Sequence, residues 1–205
     1  MMNVTVTFAN QTTSTTWTLV IYLTLPGQSF DSVCWKQTTA PPSGNGEPLS
    51  WNTEDLDAAI GSHTAGVIYT TRQALPAKLG SMWTIVAAGD AVQLRANGSA
   101  MLPTQIQILN DTGQMANPGL GVDGTAALFS RDLLSGVSAV FDGIPEYWVA
   151  VCDTAVPGQL ITTSANVAPA TTALIGPEPL DFSQGTTAAV SISQVGERQK
   201  LAVTY

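Results

Sequence analysis

Charge is what this sequence has least of. Only 11% of its 205 residues are Asp, Glu, Lys or Arg, where soluble domains average about 25%. The basic side is the thinner: seven Lys+Arg stand against 15 Asp+Glu, giving a net charge of -8 and an isoelectric point near 4.3. A chain that acidic repels phosphate backbones and anionic lipid surfaces, which argues against nucleic acid as a partner. One histidine and two cysteines, Cys34 and Cys152, with no metal-type spacing are too few for a structural zinc site. No window approaches the ~18–20 unbroken apolar residues of a spanning helix. The start, Met1-Met2-Asn3-Val4-Thr5, has neither the basic nor the apolar segment of a secretory leader. The expectation is a cytoplasmic protein without a membrane span, or one exported without a signal.

What is present is apolar, small and β-branched. Hydrophobic residues make up 44%, with 18 Gly, 12 Pro and 26 Thr, which excludes a disordered chain. Period-2 patterns dominate. Val4, Val6 and Phe8 alternate with Thr5 and Thr7, and Trp17, Leu19, Ile21 and Leu23 alternate with Thr18, Val20 and Tyr22 up to the turn pair Pro26-Gly27. Gly89-Asp90 and Gly196-Glu197 each sit between two such runs and predict hairpins. Further strands are expected over 32–37, 49–52, 66–72, 82–87, 91–96, 105–109, 124–130, 136–142, 147–152, 159–163, 188–194 and 201–205. Helix signals are short: 54–60, 74–79 and 132–135 could each form one or two turns. The fold class is therefore all-β: a single-domain antiparallel β-sandwich over residues 1–205, with long Pro/Gly/Thr-rich loops at 38–48 and 165–184 and at most one or two short helices. No internal repeat is apparent. Four Asn-x-Ser/Thr triplets, at Asn3, Asn10, Asn97 and Asn110, are expected by chance among 26 Thr.

Between Asn10 and Lys36 the order of landmarks becomes specific. A strand ends in Asn, a polar gap follows, then Trp17 leads into Val20-Ile21-Tyr22, Leu25-Pro26 and Ser32-Val33-Cys34-Trp35-Lys36. Later come Trp51, Gln73-Ala74-Leu75, Asn117-Pro118-Gly119-Leu120-Gly121 and Tyr147-Trp148. This order, over roughly residues 3 to 163, resembles the RhiA family, known from a rhizosphere-expressed bacterial protein under cell-density control. The resemblance implies a soluble bacterial β-protein. It brings no catalytic motif, so no site residues carry over.

Catalytic chemistry finds little support in the residues themselves. His63 lies in the loop-like string Gly61-Ser62-His63-Thr64, with no Gly-x-Ser-x-Gly elbow anywhere. Glu54-Asp55-Leu56-Asp57 lacks the glycine-spaced loop of a calcium site, and a capped helical turn accounts for it. Asn117-Pro118-Gly119-Leu120-Gly121 has no lysine and follows no βαβ unit, so it reads as a turn and not a phosphate cradle. Catalytic residues, metal ligands and cofactors are thus all expected to be none, and the protein is expected not to be an enzyme. Four of five Trp fall in strand-like runs. Trp51, beside Asn52 and near Asp55, is the best candidate for an exposed ring, and these three form the expected ligand-binding site. Two functions follow as expectations. One is a self-associating structural protein, a homo-oligomer or higher assembly, because so few lysines leave strand edges unguarded. The alternative is a carbohydrate- or surface-binding module with a glycan as partner.

Overall fold

The computed structural model describes residues 2–65, 67–162 and 174–205. Its strands in the first half of the chain are β1 (Asn3–Asn10), β2 (Trp17–Thr24), β3 (Asp31–Val33), β4 (Lys36–Ala40), β5 (Gly44–Asn45), β6 (Leu49–Asn52), β7 (Leu56–Thr64), β8 (Ile68–Pro76), β9 (Ser81–Ala88) and β10 (Ala91–Ser99). The second half supplies β11 (Gln105–Asp111), β12 (Asn117–Val122), β13 (Thr125–Phe129), β14 (Ser138–Asp142), β15 (Glu146–Cys152), β16 (Leu160–Thr162), β17 (Ile175–Leu180), β18 (Thr187–Val195) and β19 (Arg198–Thr204). Among the described residues the only helical element is a 3-10 turn at Phe182–Gln184, capped by Asp181 accepting from the Ser183 amide at 2.9 Å. The chain is all-β, as its periodicity predicts. The helix expected over 54–60 is a turn followed by β7: Leu56, Ala58 and Ile60 enter the core on alternate positions, the signature of a strand. Likewise 74–79 ends β8, and 132–135 forms an isolated bridge and turn.

Four sheets share one core. Their orders are β19-β18-β1-β5 with β6 also on β1, β10-β9-β11-β14, β16-β3-β13-β12-β7-β8, and β17-β15-β2-β4. Among the described residues, pairing is antiparallel except for two parallel pairs, β1 with β18 and β9 with β11. Val4, Val6 and Phe8 of β1 enter the main apolar cluster with side chains from all four sheets, while Thr5 and Thr7 stay half-buried. Both faces of β2 are covered. Trp17, Leu19, Ile21 and Leu23 face the main core, and Val20 and Tyr22 join Cys34, Ala150, Cys152 and Ile161 in a second cluster behind it.

The pairing diagram repeats itself, which corrects the reading of the sequence as free of repeats. The parallel pair β1/β18 with hairpin β18/β19 and partner β6 corresponds to the parallel pair β11/β9 with hairpin β9/β10 and partner β14. The ladder β4-β2-β15-β17 corresponds to β13-β12-β7-β8. Thus β1, β2, β4, β6, β7, β8, β9 and β10 recur in order as β11, β12, β13, β14, β15, β17, β18 and β19. The halves exchange strands, so that every sheet contains strands from both.

The segment at Asn117, expected to be a turn, is a central strand of the six-stranded sheet. Its glycines are there for space. A Cβ on Gly119 would lie 2.8 Å from the Leu128 carbonyl oxygen, and one on Gly121 2.6 Å from that of Thr125. The expected 38–48 loop holds the end of β4 and all of β5. Of the expected 165–184 loop, 174–184 contains β17, and the remainder lies outside the described residues.

Candidate functional site

Trp51 is 3% exposed, so it offers no stacking face to solvent. It sits at the centre of an aromatic cluster, with ring centroids 5.3 Å from Trp35, 5.4 Å from Tyr147 and 5.7 Å from Phe182. The cause is register: β6 lies against β1 with Trp51 opposite Val4, on the core-facing side of the pair. The tryptophan that keeps some exposure is Trp148, whose Nε1 donates to Thr24 Oγ1 at 3.0 Å. Asn52, the last residue of β6, and Asp55, in the turn after it, lie close to the surface, and Asn52 Oδ1 accepts from the Glu54 amide at 3.1 Å. Sequence adjacency thus places the three expected ligand residues together, but the ring and the polar pair face different surroundings.

Asp55 borders an acidic nook with Glu54, Asp57 and Asp123. Burial pushes the Asp57 carboxyl above its ordinary range, the Gly124 amide at 2.6 Å pulls it down, and the charges of Asp123 and Asp55 add to the rise. Lys36 answers Asp123 at 3.1 Å. No group of three or more His, Cys, Asp or Glu among the described residues has a metal-binding arrangement.

A larger concavity lies beside this nook, a cleft of about 950 Å³ that reaches the aromatic cluster at Tyr147 and Phe182. Four connections line it: 53–56 after β6, 77–79 after β8, 144–148 after β14 and 179–183 after β17. These are two corresponding pairs in the duplicated topology, so both halves build the cleft symmetrically in kind. The residues they bring are unlike. The first half contributes Leu56, Ala77, Leu79 and Lys78; the second contributes Tyr147, Trp148, Leu180, Phe182 and Asp181. Glutamates come from both, as Glu54 and Glu146. Tyr147 is 7% exposed, and its hydroxyl and Trp51 Nε1, the two buried polar atoms here, have no well-formed hydrogen bond and only a weak interaction with each other. Burial pushes the phenol up to about 12 against a smaller pull from the Trp51 indole, so it stays a neutral donor.

A second polar constellation joins residues the sequence scatters. Asp31 on β3 is completely buried, accepting from Tyr69 Oη at 2.5 Å and from Arg131 Nε at 2.7 Å. Tyr69 stacks on Phe129 with centroids 4.4 Å apart. His63 is next to it, 5.5 Å from the Tyr69 ring, with Nε2 3.1 Å from Asp132 Oδ1. The histidine's acidic neighbour is therefore Asp132, not Asp55 or Asp57. The arrangement ties β3, β7, β8 and the segment after β13 together.

Cys34 and Cys152 are buried free thiols in one apolar cluster. Burial, and secondarily the charge of Cys152, push Cys34 up to about 12; burial and then Asp153 push Cys152 to about 11. Neither is a nucleophile at neutral pH. No helix of the described residues is long and apolar enough to cross a membrane.

The cleft was missed because four connections far apart in sequence create it. One signal points there, an aromatic followed within five residues by Glu in each half, as Trp51–Glu54 and Phe141–Glu146. Neither the curated proteins nor the solved structures contain a match to this chain. The RhiA family profile matches residues 2–203, beyond the point near 163 where the sequence landmarks end. The chain belongs to the RhiA family.

Proposed function

We propose that the protein is a non-catalytic binding module that receives an apolar ligand in the cleft between its two halves. One observation carries the reading: about 950 Å³ of concave space walled mainly by Leu, Ala, Pro, Ile, Tyr and Phe side chains. Ligand sites are generally apolar concavities of this size with a few polar groups that fix orientation. A glycan is a poorer fit, since sugars need a dense set of hydrogen-bonding partners and the buried Trp51 provides no stacking face. The test is a titration with N-phenyl-1-naphthylamine, an uncharged dye that brightens in apolar surroundings. The expected result is saturable one-site binding, lost in Leu79→Trp, which fills the half-exposed wall position while leaving the far-ultraviolet spectrum unchanged. Binding that is absent, or indifferent to Leu79→Trp and to Ile144→Arg at the lip, would overturn the reading.

Self-association is the second reading, and β10 favours it. This nine-residue edge strand buries only Leu94, exposes Val92 and carries one charged residue, Arg95. An edge so lightly guarded is a template for another strand. Light scattering across a tenfold concentration range is the check. Mass that rises with concentration and falls back in Val92→Lys supports assembly, and 21.4 kDa throughout overturns it.

A further inference from the structure

The lip and the charge of the cleft narrow the ligand class, granted the binding reading above. The lip is apolar where soluble surfaces are usually polar. Ile144, on the lip, is 68% exposed, and the β10–β11 connection, whose Met101 is 88% and Leu102 47% exposed, is bonded to the two connections beside it. That connection is tied to the lip by Gly143 donating to the Thr104 carbonyl at 3.0 Å and by Gly80 donating to that of Gln105 at 2.7 Å. Below the lip the walls are Leu56, Leu79, Pro145, Tyr147, Leu180 and Phe182. An apolar path therefore runs from solvent to floor, which suits a chain entering end-on better than a compact polar molecule.

The ionic groups on this path are of mostly one sign. Glu54, Glu146 and Asp181 line the cleft with Lys78, in a chain whose net charge is -8. Both the local and the overall field thus draw a cation in and repel an anion, and low-dielectric walls strengthen the effect. Tyr147 adds a buried hydroxyl without a well-formed hydrogen bond on the same wall, beside the Phe182 ring, which lines the cleft and can face a cationic group. We infer that the cleft binds the chain of a single-tailed amphiphile whose head group is cationic, with the head held at the lip beside Glu146 and Asp181.

Three probes of equal chain length test this on the full chain: decyltrimethylammonium, decyl glucoside and decyl sulfate, each below its aggregation threshold. Each is titrated against bound N-phenyl-1-naphthylamine. The cation should displace the dye at a concentration about tenfold below the sulfate, with the glucoside between, and added salt should shrink that difference. The double variant Glu146→Gln/Asp181→Asn should bring the cation to the level of the glucoside measured on the same variant. Asn at 181 keeps the oxygen that caps the 3-10 turn. Equal displacement by all three heads, displacement by none of them, a preference for sulfate, or a cation preference that survives the double variant would each overturn the inference. A dye that never binds would instead bring down the binding reading itself, so the two failures are distinguishable.

Discussion

Asn10 and Asn110 do the same work at corresponding places in the two halves. Asn10 Oδ1 accepts from the Thr12 amide at 3.0 Å and its hydroxyl at 2.7 Å, and Nδ2 donates to the carbonyls of Thr15 and Ala40. Asn110 Oδ1 accepts from the Thr112 amide at 3.2 Å and hydroxyl at 2.8 Å, and Nδ2 donates to the carbonyls of Gln114 and Leu133. Both asparagines are buried near the end of a parallel-paired strand, where the chain turns away. The Asn-x-Thr spacing is thus a turn device in both halves. Replacing Asn110 by Ala removes four hydrogen bonds made by a buried side chain, each contributing about 0.5–1.5 kcal/mol net, so a loss of about 2–4 kcal/mol is expected. Asn10→Ala should cost a similar amount. Urea unfolding of the two single variants checks this. A loss below 1 kcal/mol in both would show that water replaces the side chain without penalty.

The buried Asp31 carboxylate is held by one cation and one phenol, and the Arg131 guanidinium reaches it through both Nε and Nη2, the latter at 2.6 Å. Removing one charge of such a pair leaves the other without compensation and costs about 3–5 kcal/mol. Asp31→Asn is therefore expected to be among the most destabilising single changes in the chain. The double variant Asp31→Asn/Arg131→Met should recover part of the loss, because it removes the stranded charge. A double-mutant cycle on thermal midpoints measures the recovery, and strict additivity would mean that the two residues act independently.

Stability should fall on the alkaline side. Tyr22 and Tyr147 are pushed up to about 12 by burial, and Tyr69 is raised further by burial and by its bond to Asp31. Cys34 and Cys152 are raised to about 12 and about 11. All five groups hold their protons more tightly when folded. Their contribution is complete below the unfolded values, near ~8.5 for thiols and ~10 for phenols, and is lost as pH rises toward the folded ones. The urea midpoint should hold between pH 7 and 8 with respect to these groups and drop steadily from about pH 9. Native protein at pH 8 should also resist a thiol-specific disulfide reagent that labels both cysteines once urea unfolds it. Rapid labelling of the folded chain would contradict the burial of Cys34 and Cys152.

The strands legible in the sequence are those whose pattern follows from one buried face. Val4 to Phe8 announces β1, Gly89-Asp90 announces the β9–β10 hairpin, and Tyr147 to Cys152 announces β15. β12 was illegible for a physical reason. It is buried on both faces against close neighbours, and its glycines, which read as turn residues, make room for the Phe129 ring and the backbone of β13. The duplication was hidden because its halves retain packing roles and not residue types. Phe8 lies beside Val190 where Ile108 lies beside Trp83, and Trp51 pairs into β1 where Phe141 pairs into β11. Of the expected ligand residues, adjacency in sequence kept Trp51, Asn52 and Asp55 together, but alternation along β6 determined which of them faces solvent, and Trp51 went inward.

The exchange of strands makes the halves interdependent. The first half supplies β1, β5 and β6 to one sheet, β2 and β4 to a second, β3, β7 and β8 to a third, and β9 and β10 to the fourth. In the absence of the second half, β1 and β9 would each lose their parallel neighbour, β2 would lose β15 and β7 would lose β12. The main core would be opened along all four sheets at once. Residues 1–101 and 102–205 made separately should therefore fail to fold, whereas the two made together should form a stable one-to-one complex. The joint falls in the β10–β11 connection, whose Met101 and Leu102 side chains are exposed, so the break itself removes little packing. Co-purification of the two pieces, followed by a cooperative melt close to that of the intact chain, is the expected result. A first half that folds alone, with dispersed amide resonances and its own sharp unfolding transition, would show that the strand exchange is not required for stability.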